Sequence, residues 1–289
     1  MGLLSIFRSS QLDPEWAYDA NGIIWRVHFT DHKRIIGECR NQDKKLASFF
    51  CLDEESGKSL WRDLSLEEPW WVGIEAVLSD VVLLHTYGTP DMPGHRGIRA
   101  LDTGSGTLLW RNDDITFWFG QGESVFAYRD FFERRVGYEL SLRTGENRRT
   151  FDGSLEELHE IRRLASGEQP SSGVVLPEIL QGDAEDASIF SIVRRFTKGR
   201  EIVGNIEFIV EGEFLLFNYH AHARDSTGES PKLDNELNVI RFPGGTRIYS
   251  DVIGRNLKAS VPDAFFIRRP RLFFIKDQQV LTSVRLWRS

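Results

Sequence analysis

The stretch "NYHAHARD", residues 218–225, places His220 and His222 two positions apart. Side chains alternate along a strand, so both imidazoles would share one face. Two imidazoles so placed could hold a metal, with Asp225 or a loop carboxylate as third ligand. His85 and His95 occupy the corresponding region of an earlier segment. They could join the first pair only where two such segments adjoin across a common mouth. A polar strand end with hydrogen-bonded histidines is the competing reading, and the choice of metal stays open. "GDAEDAS" brings Asp183, Glu185 and Asp186 together, without the spacing or turn glycine of a calcium loop. In "RDFFERR", Arg129 and Arg134 surround Phe131 and Phe132. Such a cluster could grip an acidic group or pair with its own carboxylates.

No signature of an established catalytic set appears. The sequence lacks a phosphate-cradling G-x-x-x-x-G-K-[ST] loop, a G-x-S-x-G elbow and an H-E-x-x-H helix. "HEIRR", at 159–163, lacks the second histidine. No residue is therefore assigned a catalytic role, and no cofactor is expected.

The bulk composition narrows the partners. Lys and Arg number 36 against 43 Asp and Glu, a net charge of −7. That balance argues against nucleic acid, whose phosphates need a basic stripe. A chain of 289 residues, 40% hydrophobic, can bury one large β domain or two ordinary ones. Cys39 and Cys51 are too few for a secreted disulfide framework; their spacing could place them on paired strands as a local bridge, and two buried thiols is the favoured reading. The opening "MGLLSIFRSS" lacks the long apolar run of a secretory signal, and Ile6 stands where myristoylation needs Ser or Thr. No stretch approaches a membrane span. The expectation is a soluble cytoplasmic protein of unspecified oligomeric state.

What would position these residues is a repeat. "LDEESGKSLWR", Leu52 to Arg62, returns as "LDTGSGTLLWR", Leu101 to Arg111. Each copy joins an apolar strand, an aspartate (Asp53, Asp102), a turn glycine (Gly57, Gly106) and a short strand reaching a tryptophan (Trp61, Trp110). Weaker copies are "LSLRTGENRRTF" (140–151), "IRFPGGTRIYS" (240–250) and "YDANGIIWR" (18–26). Strand-only repeats of roughly 40–50 residues with hairpin turns favour a β-propeller. The spacing predicts strands at 34–40, 45–52 and 58–64, with an inner strand at 23–29. It continues with 70–78, 81–87, 97–102 and 107–111, then 114–119, 124–130, 135–142 and 147–151. The last groups are 203–210, 214–222, 236–242 and 246–250, then 263–268, 271–276 and 279–286. The fold class is all-β: one propeller domain over 1–289 with five blades, or six if 174–200 forms its own. The final group lacks an outer strand, and the N-terminal segment, at 16–18 or 23–29, is expected to fill that edge and close the ring. "SLEELHEIRRLASG" carries Leu155, Leu158, Ile161 and Leu164 at helical spacing after Ser154. It predicts a helix near 154–166, within an insertion covering 152–173.

The Asp, Ser/Thr-Gly, Trp-Arg pattern resembles the repeat of quinoprotein-type (pyrroloquinoline quinone-like) propellers. In that family the tryptophan packs against the neighbouring blade, and the resemblance gives that role to Trp61, Trp110 and Trp25. It does not bring the quinone: the family's vicinal cysteine pair is missing, since Cys39 and Cys51 are not adjacent. The whole chain is also similar to a family of uncharacterised bacterial single-propeller proteins, through "PWWVGIEAVLSDVVLLHTYGTPDMPGHRGIRALD" and "DAFFIRRPRLFFIKDQQVLTSVRL". That likeness implies a fold and no activity.

Antiparallel strands put first-to-second and third-to-fourth turns at one end of each sheet. Second-to-third links and crossings to the next sheet share the other. The long excursions, "GTPDMPG" with Asp91, "ARDSTGESPKLDN" and the helical insertion, all fall on that second side. Long loops on a rigid scaffold are where binding concentrates. The expected function is a non-catalytic propeller that binds a protein or peptide there, through His85, Asp91, His95, Arg129, Arg134, His220, His222 and Asp225. The alternative is a small-ligand or metal-assisted enzyme with a polar site at the channel mouth.

Overall fold

A computed structural model describes residues 12–89, 92–153, 155–167, 173–181, 187–223 and 232–287. Its elements follow chain order. Strand β1 (Pro14–Asp19) precedes β2 (Ile23–Phe29), β3 (Arg34–Asn41), β4 (Leu46–Asp53) and β5 (Ser59–Leu64). Next come β6 (Val72–Leu78), β7 (Val81–Thr89), β8 (Met92–Asp102) and β9 (Leu108–Asn112). They lead to β10 (Thr116–Gln121), β11 (Ser124–Asp130), β12 (Arg135–Ser141), β13 (Asn147–Phe151) and helix α1 (Glu156–Gly167). Then follow β14 (Val174–Val175), β15 (Glu178–Ile179), helix α2 (Ala187–Phe196), β16 (Ile202–Glu211), β17 (Phe214–His222), β18 (Leu233–Arg241) and β19 (Thr246–Leu257). The chain closes with β20 (Phe265–Arg268), β21 (Arg271–Lys276) and β22 (Val280–Arg285). Among the described residues this is a nearly all-β protein of five antiparallel sheets, and no helix is long and apolar enough to cross a membrane.

Two compact units divide the chain. One, Asn21–Ser172, holds three four-stranded meanders, β2–β5, β6–β9 and β10–β13. Its core explains the uninterrupted apolar run of β7. Val82 and Leu84 pack with Ile36, Phe49 and Cys51 of the first sheet. Val81 and Leu83 pack with Val125, Ala127 and Leu140 of the third. A strand buried on both faces must be apolar at successive positions, not at alternate ones. Cys39 and Cys51 are free buried thiols, and burial pushes the Cys51 thiol up to about 12. Helix α1 covers the third sheet, with Leu158 fully buried beside Phe126 and Phe151. Gly137 makes that approach possible, because a Cβ there would stand 2.1 Å from Leu158 Cδ1. Leu164, expected on the buried stripe, is exposed, while Ala165 is buried. Ser154 lies outside the described residues, and Glu157 pairs with Arg149 at 2.6 Å.

The repeated turns have one hydrogen-bond pattern. Gly57, Gly106, Gly145 and Gly245 each donate N–H to the carbonyl four residues back, at 2.7–2.9 Å, with φ of 66–71°. That φ favours glycine. Asp53 and Asp102 cap their turns by accepting from Ser56 and Ser105, N–H and hydroxyl alike. The tryptophans tie one sheet to the next. Trp61 Nε1–H donates to the Thr103 carbonyl at 2.8 Å, and Trp110 Nε1–H to the Leu142 carbonyl at 2.8 Å. Arg34 adds a 2.8 Å bond to the Thr103 hydroxyl.

Trp25 does not share this role. It lies on β2, a first strand, and is 59% exposed. The stretch 18–26 is not a repeat hairpin at all, because β1 pairs with β22 and β2 with β3.

The other unit, Met1–Ala20 with Gly173–Ser289, holds two five-stranded sheets, β1-β22-β21-β20-β14 and β15-β16-β17-β18-β19. β1 fills the open edge beside β22, the first of the two N-terminal candidates. Glu15 ties that strand down through Arg285 at 2.7 Å and through Arg271. The described residues of 174–200 form no sheet of their own. They supply the two-residue edges β14 and β15 and helix α2, whose Ile189 and Val193 pack on Phe208, Phe217 and Ile240.

Candidate functional site

In the Asn21–Ser172 unit, hydrogen bonds sort the loops into two ends. Third-to-fourth turns bond to first-to-second turns: Thr103 N–H to Asp80 O at 2.8 Å, Leu142 N–H to Glu123 O at 2.9 Å. The opposite, link end joins strands to crossings: Ala47 N–H to Pro69 O at 2.6 Å, Gly97 N–H to Ile115 O at 2.9 Å. The described residues of 88–94, expected as a long loop, are instead strand. β7 and β8 continue to a Thr89–Met92 pairing, because their backbone groups keep finding partners. Asp91 lies outside the described residues, as do Asp225 and the acidic stretch 183–186.

Two of the expected site residues meet here. His85 and His95 stack with centroids 3.5 Å apart and planes 9° from parallel. Glu75, which the sequence reading passed over, faces both: its Oε2 is 2.9 Å from His85 Nδ1 and 2.7 Å from His95 Nδ1. The His95 contact is a hydrogen bond. The His85 contact is close but misaligned, so neither nitrogen of a ring only 1% exposed has a hydrogen-bond partner. Tyr87 stands edge-on to both imidazoles, and the exposed Trp71 stands edge-on to Tyr87.

Local irregularities aim these side chains. The β6–β7 register slips between Ile74 and Ala76, leaving Glu75 as the extra residue of a bulge. The β7–β8 register slips between Leu84 and Thr86, where Gly97 has φ of 70°. Bulges re-aim side chains and collect beside functional sites. Gly73 sits opposite His85, and a Cβ there would stand 3.2 Å from His85 Cε1 and from the Glu38 carboxylate. Glu38 is buried, paired to Arg40 at 2.6 Å, and accepts from Ile74 N–H at 2.9 Å. Arg26 donates to the Ile74 carbonyl at 2.6 Å.

The electrostatics keep the set poised. Burial lowers the His85 pKa, and the charges of His95 and Arg26 lower it further against the pull of Glu75. Burial pushes the Glu75 carboxyl up, but His85 and His95 together outweigh this and hold it below its ordinary value.

The remaining expected residues stand apart. Arg129 is 3.7 Å from Asp114, Arg134 is 2.8 Å from Asp152, and both guanidiniums lie over the Phe131 ring, at 5.2 and 5.7 Å. They are engaged with their own surface. Phe132 is fully exposed beside them. In the other unit, His220 is buried and its Nε2 accepts from Val261 N–H at 3.1 Å. That bond occupies the lone pair a metal would need. His222 Nε2 is 3.9 Å from Glu201. Near them Asn218 donates to Asn235 at 3.1 Å, and burial raises the Glu207 carboxyl.

His85 and His220 yield a pH prediction. Burial depresses both pKa values in the folded state. Above the ordinary histidine value of about 6.5 both imidazoles are neutral folded or unfolded. Below it the unfolded chain takes protons first, so stability falls with pH until the folded values are reached. The expected slope is at most about 1.4 kcal/mol per pH unit for each imidazole. Denaturation midpoints across this window, with imidazole NMR titrations, check it. A flat profile with both rings titrating at ordinary values would contradict it.

Three comparisons show what the chain is similar to. The model of a domain of unknown function (DUF4905) matches residues 30–110, a span that contains Glu75, His85 and His95. A comparison with curated proteins gives no match. Among solved structures, the β-propeller domain of the Trilobed protease from Pyrococcus furiosus is 6% identical, covering 93% of this chain and 71% of that one, with TM-score 0.30. The WD40 domain of SCAP from fission yeast is 8% identical, covering 96% and 55%, with TM-score 0.28. The uncharacterized protein lmo1340 from Listeria monocytogenes EGD-e is 9% identical, covering 95% and 94%, with TM-score 0.29.

Proposed function

We propose that the five sheets are the blades of a β-propeller and that this propeller is a non-catalytic module binding a protein segment at its link end. The repeated meanders, the completion of the last sheet by β1 and the recurrent tryptophan tie support the fold reading. One observation carries the binding reading. Phe131 and Phe132, two adjacent aromatic side chains, stand exposed at the β11–β12 link, at 43% and 102%. Apolar side chains held out in water beside arginines resemble the anchors of protein interfaces, which are rich in aromatic residues and arginine. Arg129 and Arg134 brace Phe131 and leave Phe132 free to insert into an apolar pocket of the partner.

A photoreactive benzoylphenylalanine placed at Phe132, and separately at Ser105 in a turn, tests this. Irradiation in cells is expected to trap a discrete protein adduct from position 132 and none from position 105. No adduct at 132, or the same adduct at both positions, would contradict it.

A further inference from the structure

We propose that Glu75, His85 and His95 form a binding site for one divalent transition-metal ion of the zinc type. The inference is independent of whether a protein binds the link end. The three side chains each offer a donor, and all three donor atoms lie within 4.8 Å of one another. Two imidazoles and a carboxylate suit zinc-like ions and leave coordination positions open to water or a ligand. Calcium and magnesium prefer oxygen donors throughout.

His85 is the second, separate observation. A buried polar group without a hydrogen bond destabilises the fold. His85 Nε2 is in that state, and Nδ1 has only the misaligned 2.9 Å contact with Glu75. A bulge places Glu75 beside the ring, a second bulge lies opposite it on β8, and Gly73 leaves it room. An electron-pair acceptor at Nδ1 would give that nitrogen a partner, and the Glu75 carboxylate would supply the countercharge. The partly exposed side chain of His95 gives the ion a way in. Donors on a tetrahedral zinc-like ion stand about 3.3 Å apart. The present contacts of 2.7 and 2.9 Å therefore need to open by roughly half an ångström, as the ion replaces the proton shared with Glu75. Turning the His95 ring off the stack brings its lone pair toward the same point.

The test uses the full chain, stripped with a chelator, loaded with Zn2+ or Co2+, and freed of unbound ion. Elemental analysis is expected to find a single equivalent of zinc. The cobalt form should show the intense visible bands of low coordination, and zinc should raise the melting temperature. His95→Ala and Glu75→Gln should each weaken binding at least about tenfold. His222→Ala, in the other unit, should leave it unchanged. Absence of retained metal in the wild type would overturn the proposal. So would metal retained undiminished in His95→Ala, or lost equally in His222→Ala. Should His95→Ala fail to fold, the wild-type stoichiometry and cobalt spectrum decide the matter alone.

Discussion

Trp110→Ala is expected to destabilise the protein by about 3–5 kcal/mol in chemical denaturation. Trp110 is buried between the second and third sheets of its unit, in contact with the cluster of Leu83, Ala127 and Leu140. Truncation empties that space and leaves the Leu142 carbonyl without its 2.8 Å partner. Two comparisons separate these terms. Trp110→Phe keeps most of the volume and loses the hydrogen bond, so it should show mainly the cost of the unpaired carbonyl, about 1–3 kcal/mol. Trp25→Ala, at an exposed position of the same unit, should change stability by less than about 0.5 kcal/mol. A cost below about 1 kcal/mol for Trp110→Ala would mean the sheets are not joined through this ring.

Gly145→Ala is expected to cost about 2–4 kcal/mol, combining backbone strain with overpacking. Gly145 has φ of 69°, and an added Cβ would stand 2.6 Å from Trp110 Cδ2, with two further ring atoms at 2.8 Å. The glycine is therefore required twice, for the turn and for the ring lying on it. Gly122 offers the control. Its φ is 54°, but nothing lies within 4 Å of its would-be Cβ. Gly122→Ala should show strain alone, about 1–2 kcal/mol. Equal costs at the two glycines, read from denaturant midpoints, would show that the tryptophan does not press on the turn. Gly106 stands in the same relation to Trp61, with the contact at 3.0 Å, and should fall between them.

These two residues also show why so much of the fold was legible. "LDTGSGTLLW" spells out its own hairpin: an aspartate to cap, a glycine for positive φ, and a tryptophan for the next sheet. Where a repeat supplies all three, the strands fall within a few residues of their expected places. Helix α2 was missed because "ASIFSIVRRF" is rich in β-branched and aromatic residues, which read as strand. Its helical signal is the spacing of Ile189, Ile192, Val193 and Phe196, four residues packed toward one cluster. Trp25 shares the Trp-Arg dipeptide but not the strand position, and only pairing partners distinguish a first strand from a fourth.

The site was half legible for a similar reason. Histidines announce themselves as chemistry, so His85 and His95 stood out. Glu75 did not, because a carboxylate amid "GIEAVL" reads as one more alternating strand residue. Its placement depends on a bulge that no local residue signals. His220 and His222 had the more suggestive spacing, yet Val261 N–H takes the His220 lone pair through a contact 41 residues away in sequence. Spacing within a strand fixes which face a side chain shares. It does not fix which distant backbone group arrives to satisfy it.

Whether the link end of the Asn21–Ser172 unit is built to hold a ligand is read most directly from anomalous X-ray scattering at the zinc edge, on crystals grown with zinc. The expected result is one strong peak about 2.0–2.2 Å from Glu75 and from a nitrogen of each of His85 and His95. A map with no peak there, or with its peak at His220 and His222, would contradict it.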